Sequence, residues 1–252
     1  MLNHSKISFL TFLMAMSWLC YSQTPSFKKA QLKNSRVKTA YSEKWSTLKI
    51  SLNKVGIDTN SFQIFIRVFK KDKQLELWIK SKSVQEYKLF HTYLICASSG
   101  DLGPKRMQGD GQVPEGFYNV SVFNPYSNYY LSLGVSYPNK SDKVLGSTGN
   151  LGGDIMIHGN CVTIGCMPLT DDKIKEVYVL AVEARNSGEE TIPVHIFPTR
   201  MNDDRMKYLK EFTNDKTMIS FWENIKKGFD YFEQNKKLPV VSVDEKGKYG
   251  FK

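Results

Sequence analysis

Residues 155–166 read IMIHGNCVTIGC and put one of the chain's four histidines and two of its four cysteines in a single short segment. Ile155, Met156 and Ile157 form an apolar run that reads as a strand ending at His158. Gly159-Asn160 is a turn pair. His158 and Cys166 lie eight residues apart, about 12 Å of rise on a helix, so they meet only if the chain turns back between them. The segment therefore predicts strand, turn and return, and Gly165 just before Cys166 gives the return freedom in φ.

Three chemistries compete for this cluster. Zinc could take His158, Cys161 and Cys166, with His195 as a fourth ligand, although the paired spacings usual for zinc are missing. A Cys161–Cys166 disulfide would close a tight loop, and two buried, inert cysteines are the plainest alternative. The third reading is a Cys166 nucleophile with His158 as its base, since a thiol must lose its proton to attack. Backbone N–H groups of Gly165 and Cys166 are then candidates for an oxyanion hole.

Outward from the cluster, the pattern is β-rich. FQIFIRVFK from residue 62 and LELWIKS from residue 75 predict two strands, joined by a hairpin at KKDKQ. YKLFHTYLICASS predicts another, in which His91 and Cys96 read as packing residues. The Gly- and Pro-rich run from residue 99 to VPEGFY is a long loop, and it lacks the Gly-Lys-Ser/Thr ending of a phosphate loop. FYNVSVFN and NYYLSLGVSYPN follow as strands, and GSTGNLGGD as a glycine loop. After Cys166, Thr170 is an N-cap for a helix carrying Asp171 and Asp172 in its first turn and ending at Gly188. TIPVHIFP closes the sheet, with His195 half-buried. Before the sheet, Tyr41, Trp45, Leu48 and Leu52 mark one face of a helix. After it, DDRMKYLKEF and MISFWENIKKGFDYFEQNKK predict two helices, and the tail a short strand or extended arm.

The 252 residues carry 35 Lys+Arg against 25 Asp+Glu, with 41% hydrophobic and 24% charged residues, as in a globular protein. Residues 1–22 have the pattern of a secretory leader: one Lys, an apolar run, then Cys20 and Ser22 as small residues before Gln23. Cys20 also invites acylation, against which Leu19 stands. Removing Lys6 with the leader leaves 34 basic against 25 acidic side chains, +9. A basic surface suits nucleic acid, but export points instead to cell-wall polymers or lipid head groups. It also leaves three cysteines in an oxidising compartment, so one remains unpaired whatever the other two do.

IMIHGNCVTIGCMPLTDDKI resembles the L,D-transpeptidase (YkuD) catalytic domain, whose motif is His-Gly followed by Ser/Thr-x-Gly-Cys. Here these are His158-Gly159 and Thr163-Ile164-Gly165-Cys166. VPEGFY is similar to the family's Thr-Pro-x-Gly segment, with Val113 in the Thr position. Ile164 stands where common members have His, Met167-Pro168 follows the Cys, and the gap between motif halves is short, as in the YafK-like subgroup. The resemblance implies a β-rich α+β fold, a YkuD-type mixed β-sandwich with one helix after the cysteine. It divides the chain into a leader (1–22), a helical N-terminal extension (23–61), the catalytic domain (62–198) and a helical C-terminal extension (199–252). It implies an exported enzyme of the periplasm or cell envelope that acts on peptidoglycan stem peptides through a Cys166 thioester, at an amide of meso-diaminopimelate. An amine would resolve the thioester in transpeptidation, water in carboxypeptidase or amidase action. A cell-wall-linked protein is a further partner, and no metal or organic cofactor is needed. His158 would be proton acceptor and donor, Gly165 an oxyanion donor, and Thr163 and Gly159 candidates for substrate contact, with a plain turn role equally open to Thr163. The other class of function is an exported module that holds peptidoglycan without turnover.

Overall fold

The computed structural model describes residues 26–252; the leader, with Cys20 and the cleavage site before Gln23, lies outside the described residues. Two helices come first, α1 (Phe27–Gln31) and α2 (Ser35–Lys54), followed by strands β1 (Phe62–Phe69), β2 (Gln74–Ser81), β3 (Lys88–Leu94), β4 (Gly116–Asn124) and β5 (Ser132–Val135). Helix α3 (Lys140–Leu145), strands β6 (Met156–His158) and β7 (Met167–Pro168), helix α4 (Asp171–Asn186) and strand β8 (Pro193–Phe197) complete the central part. Helices α5 (Asp203–Phe212) and α6 (Lys216–Asn235) and the hairpin of β9 (Val241–Val243) and β10 (Tyr249–Phe251) follow.

The fold is α+β around a mixed, curled eight-stranded sheet in the order β3-β2-β1-β8-β4-β5-β6-β7. The pairs β1–β8 and β6–β7 are parallel and the others antiparallel. Strand β4 hands the sheet over: Gly116–Asn119 pair with β8, and Val120 to Asn124 pair with β5 across a register shift.

Alternation along the strands explains why both faces are dry. Phe62, Ile64, Ile66 and Val68 of β1, with Val194 and Ile196 of β8, point into one core. Against this face lies α4, whose residues Val177 to Ala184 are all buried, with α2 outside it. The other faces of the same strands carry Phe65, Arg67, Phe69, His195 and Phe197. Helices α5 and α6 cover them with Met206, Leu209, Trp222, Phe229 and Phe232. Residues after 198 are thus the second cover of the sheet. Arg67 is buried there and donates twice to Glu76, at 2.9 and 2.8 Å, and once to Glu233 of α6 at 2.6 Å.

Several local expectations hold. Thr170 caps α4 by accepting from the Lys173 N–H, and the helices at 203–212 and 216–235 stand where the periodicity puts them. Others do not. His195 is fully buried between Phe65 and Phe117, because α6 covers a face that the strand pattern alone leaves half open. His91 is exposed and lies against the Tyr93 ring, since β3 is the sheet's edge. Among the described residues no helix is long and apolar enough to cross a membrane.

Candidate active site

Strand β6 leaves the sheet at His158, and the chain comes back beside it as β7, with Ile157 opposite Met167 and His158 opposite Pro168. Two contacts shape the turn. Asn160 takes a left-handed φ of 59°, and its N–H donates to Asp171 Oδ1 at 2.8 Å. A Cβ on Gly159 would sit 2.6 Å from that same oxygen. Gly159 is therefore required by packing, and a substrate contact is not needed to account for it. In the β6–β7 ladder, paired residues share a face and neighbours alternate. Ile157 and Met167 are buried in the core, His158 ends β6, and Cys166 stands in the bend one residue before β7.

The disulfide of this structure joins Cys96 to Cys161. That corrects three expectations. Cys96 is not a packing residue, Cys161 does not pair with Cys166, and the pair in the loop is not two buried inert thiols. Cys166 is the one free cysteine among the described residues. The zinc set is pulled apart as well, with Cys161 in the disulfide and His195 enclosed behind the sheet. Geometry decides this pairing: the chain after β3 runs beside β7, the Cys96 N–H donating to Pro168 O at 3.0 Å. The odd cysteine count pointed to one free thiol, and no local spacing says which.

The return is held by backbone detail. Gly165 has φ +121°, and a Cβ there would meet the Gln112 carbonyl at 3.1 Å. Glycine is needed on both grounds. The Cys166 N–H donates to Thr163 Oγ1, and the Thr163 hydroxyl donates to Cys166 O, each at 2.8 Å. Thr163 thus clamps the backbone of Cys166 within the turn. The same clamp occupies the Cys166 N–H, and Gly165 keeps the N–H that points to no partner among the described residues.

His158 is buried, 1% exposed. Its Nδ1 lies 2.5 Å from Gly159 O, which fixes a proton on Nδ1 and leaves Nε2 as the basic nitrogen. The Tyr129 ring lies 4.7 Å from the imidazole, inclined by 30°. Burial lowers the imidazole pKa from its ordinary 6.5, and the bond to Gly159 offsets part of this. Burial also raises the Cys166 thiol above its ordinary 9.0; a bond from the Met156 backbone opposes the rise and Asp154 adds to it. The resting pair is therefore neutral thiol and neutral imidazole.

Cys166 opens onto a cleft of 170 Å³ between the β1–β2 turn, the loop 97–102 and Tyr208 of α5. Glu115, the variable residue of VPEG, holds its wall. This buried carboxylate accepts from Lys70 Nζ at 2.9 Å, the Gly103 N–H at 2.8 Å and Trp222 Nε1 at 2.8 Å. Sequence reading missed Glu115, Lys70 and Tyr208, because each meets the site across more than 40 residues of chain.

A free thiol and an imidazole fixed in one tautomer, on the chain segments that close into β6 and β7, are the chemistry this turn presents. The family model described as the L,D-transpeptidase catalytic domain, YkuD, matches residues 63–196. The chain belongs to the YkuD family. Two relatives named "Putative L,D-transpeptidase YafK", from Escherichia coli strains K12 and O157:H7, are each 41% identical over 182 residues, 71% of this chain and 70% of theirs. Among solved structures, the helical cell shape determining protein Pgp2 from Campylobacter jejuni aligns over 78% of this chain and 80% of its own, with 18% identity and a TM-score of 0.44. Bdellovibrio bacteriovorus Bd1075 aligns over 72% and 77%, with 20% identity and a TM-score of 0.40. In this YkuD chain the His-Gly half of the motif ends β6 and the Thr-x-Gly-Cys half leads into β7, its neighbour at one sheet edge.

Proposed function

We propose that this chain is an exported enzyme that acylates Cys166 with a peptidoglycan stem peptide. The observation that carries this reading is the free Cys166 directly before the strand that returns beside His158, whose Nδ1 is fixed by Gly159 O. The thiol proton passes to His158 Nε2 as Sγ attacks the carbonyl of an amide at meso-diaminopimelate. The oxyanion is met by the Gly165 N–H. The C–N bond then breaks, His158 returns the proton to the departing amine, and a thioester remains. Water or a second amine attacks that thioester, again with His158 taking and giving the proton, so the enzyme is regenerated as it began. The names of the relatives support a peptide-bond exchange, and hydrolysis uses the same groups. A cell-wall-linked protein fits as the amine lost or gained.

The test is incubation with defined muropeptides, free and protein-linked, followed by product masses. Crosslinked products identify a transpeptidase. Shortened stems identify a carboxypeptidase, and release of the linked protein identifies an amidase. Binding without any product would leave the non-catalytic module as the function. Chelation is expected to leave turnover unchanged, because no step uses a metal.

A further inference from the structure

The turn between β1 and β2 reads Lys70-Lys71-Asp72-Lys73, and its charges have different fates. Lys70 is consumed inside the wall by Glu115 and by the carbonyls of Gly103 and Val113. Asp72, the turn's own acid, is turned away and accepts from the Thr199 hydroxyl and the Arg200 N–H. Lys71 and Lys73 are exposed and have no acidic partner among the described residues. Both line the cleft that holds Cys166. Lys73 has a left-handed φ of 51°, and its carbonyl accepts from the Ile95 N–H at 2.8 Å, so the turn is fixed against the β3 end of the cleft. Lys71 Nζ is held over the Tyr208 ring, 4.2 Å from its centroid, and donates to the hydroxyl at 2.9 Å. Asp101 stands at the same cleft, which leaves two unpaired cations to one acid.

The cations do not serve the thiol. Burial dominates the Cys166 pKa and raises it, whereas a close ammonium would lower it. They are placed for something that enters the cleft with the acyl group. At 170 Å³ the space is smaller than the ~300 Å³ at which drug-sized pockets begin, and it suits one end of an amino-acid residue.

We propose that Lys71 and Lys73, with Tyr208 orienting Lys71, form a carboxylate-binding subsite that recognises a free carboxylate of the acyl donor. The proposal rests on the reading of Cys166 as the acylated residue and names what selects its substrate. It also gives the C-terminal helices a part in the site, since Tyr208 comes from α5.

Two alkylating probes test it without peptidoglycan. N-iodoacetylglycine carries a carboxylate, and N-iodoacetylglycinamide is its neutral counterpart. The readout is the ratio of their rates at Cys166. The wild-type chain is expected to favour the anionic probe, and Lys71→Gln/Lys73→Gln to lower the ratio by about fivefold, the scale of two exposed charge pairs. Salt at 0.5 M should lower the wild-type ratio in the same direction, and Lys71→Arg/Lys73→Arg should restore it. Tyr208→Phe keeps the ring and should lower the ratio less than the double variant. Thermal melting checks folding, and both lysines are exposed. A stem-peptide arm follows: the double Gln variant should raise KM for the free acid with kcat kept, and leave KM for the carboxamide unchanged. An equal probe ratio in wild type and the double Gln variant overturns the subsite. A lowered ratio with no wild-type turnover of any stem peptide keeps the subsite and removes the peptidoglycan reading. Wild-type turnover with unaltered probe ratio and KM in the variant removes the subsite and keeps that reading.

Discussion

At the residue scale, Cys166 and His158 are both pushed by burial toward their uncharged forms. The working protonation state, neutral thiol with neutral imidazole, therefore spans a wider pH range than in free solution. Activity should fall on the acid side only below 6.5, where the imidazole gains a proton, and on the alkaline side only above 9.0, where the thiol is lost. An ion pair of thiolate and imidazolium would reverse that order. Alkylation by iodoacetamide separates the two: a rate at Cys166 that climbs through pH 9 supports the neutral pair, and a plateau below pH 6 opposes it. Gly165 offers a second test. Gly165→Ala forces a side chain to φ +121° and toward the Gln112 carbonyl. The strain should cost about 1–3 kcal/mol of stability, read from denaturant midpoints, and turnover should fall with it.

At the scale of elements, the β6–β7 return is fastened to the end of β3 by the Cys96–Cys161 disulfide, which spans 65 residues. A cysteine that only packs in such a turn would lose about 1 kcal/mol on Cys161→Ala. The disulfide changes that expectation to a loss of about 2–4 kcal/mol, because the unfolded chain regains the freedom the crosslink denies it. Cys96→Ala should match it within error, and dithiothreitol should lower the wild-type melting temperature but not that of the double variant. Equal melting of wild type and Cys161→Ala would show that the crosslink does not form. The strand–turn–return was legible because IMI, Gly159-Asn160 and Gly165-Cys166 are local signals. Cys96 was not, since its partner lies in a turn 65 residues on and the alternation of YKLFHTYLIC reads the same with or without a crosslink. Thr163 shows the other limit: its place in the motif was visible, but the direction of its hydroxyl depends on the backbone of a residue three positions on.

At the scale of the whole molecule, the sheet has two covers, and the residues after 198 supply one of them. Strand β1 hinted at this with Phe65 and Phe69 on its second face, yet nothing local said which segment would cover Phe69, Phe117 and Phe197. Truncation after Pro198 should expose those rings and leave an insoluble chain, measured by recovery after centrifugation. Arg67→Met should destabilise by about 1–3 kcal/mol, since Glu76 would lose its buried cation and keep only the half-exposed Arg200 and the Trp78 N–H. The assembled molecule gathers a crosslinked loop and a lysine-lined cleft at one thiol, with a fixed imidazole at the end of β6, the neighbour of the strand that follows it. Cys166→Ala, assayed by product mass on a mixture of tripeptide and tetrapeptide stems with melting as the folding control, tests that convergence most directly. The account predicts a folded protein with no product beyond background, because His158 alone forms no thioester. Wild-type turnover in the folded variant would contradict it.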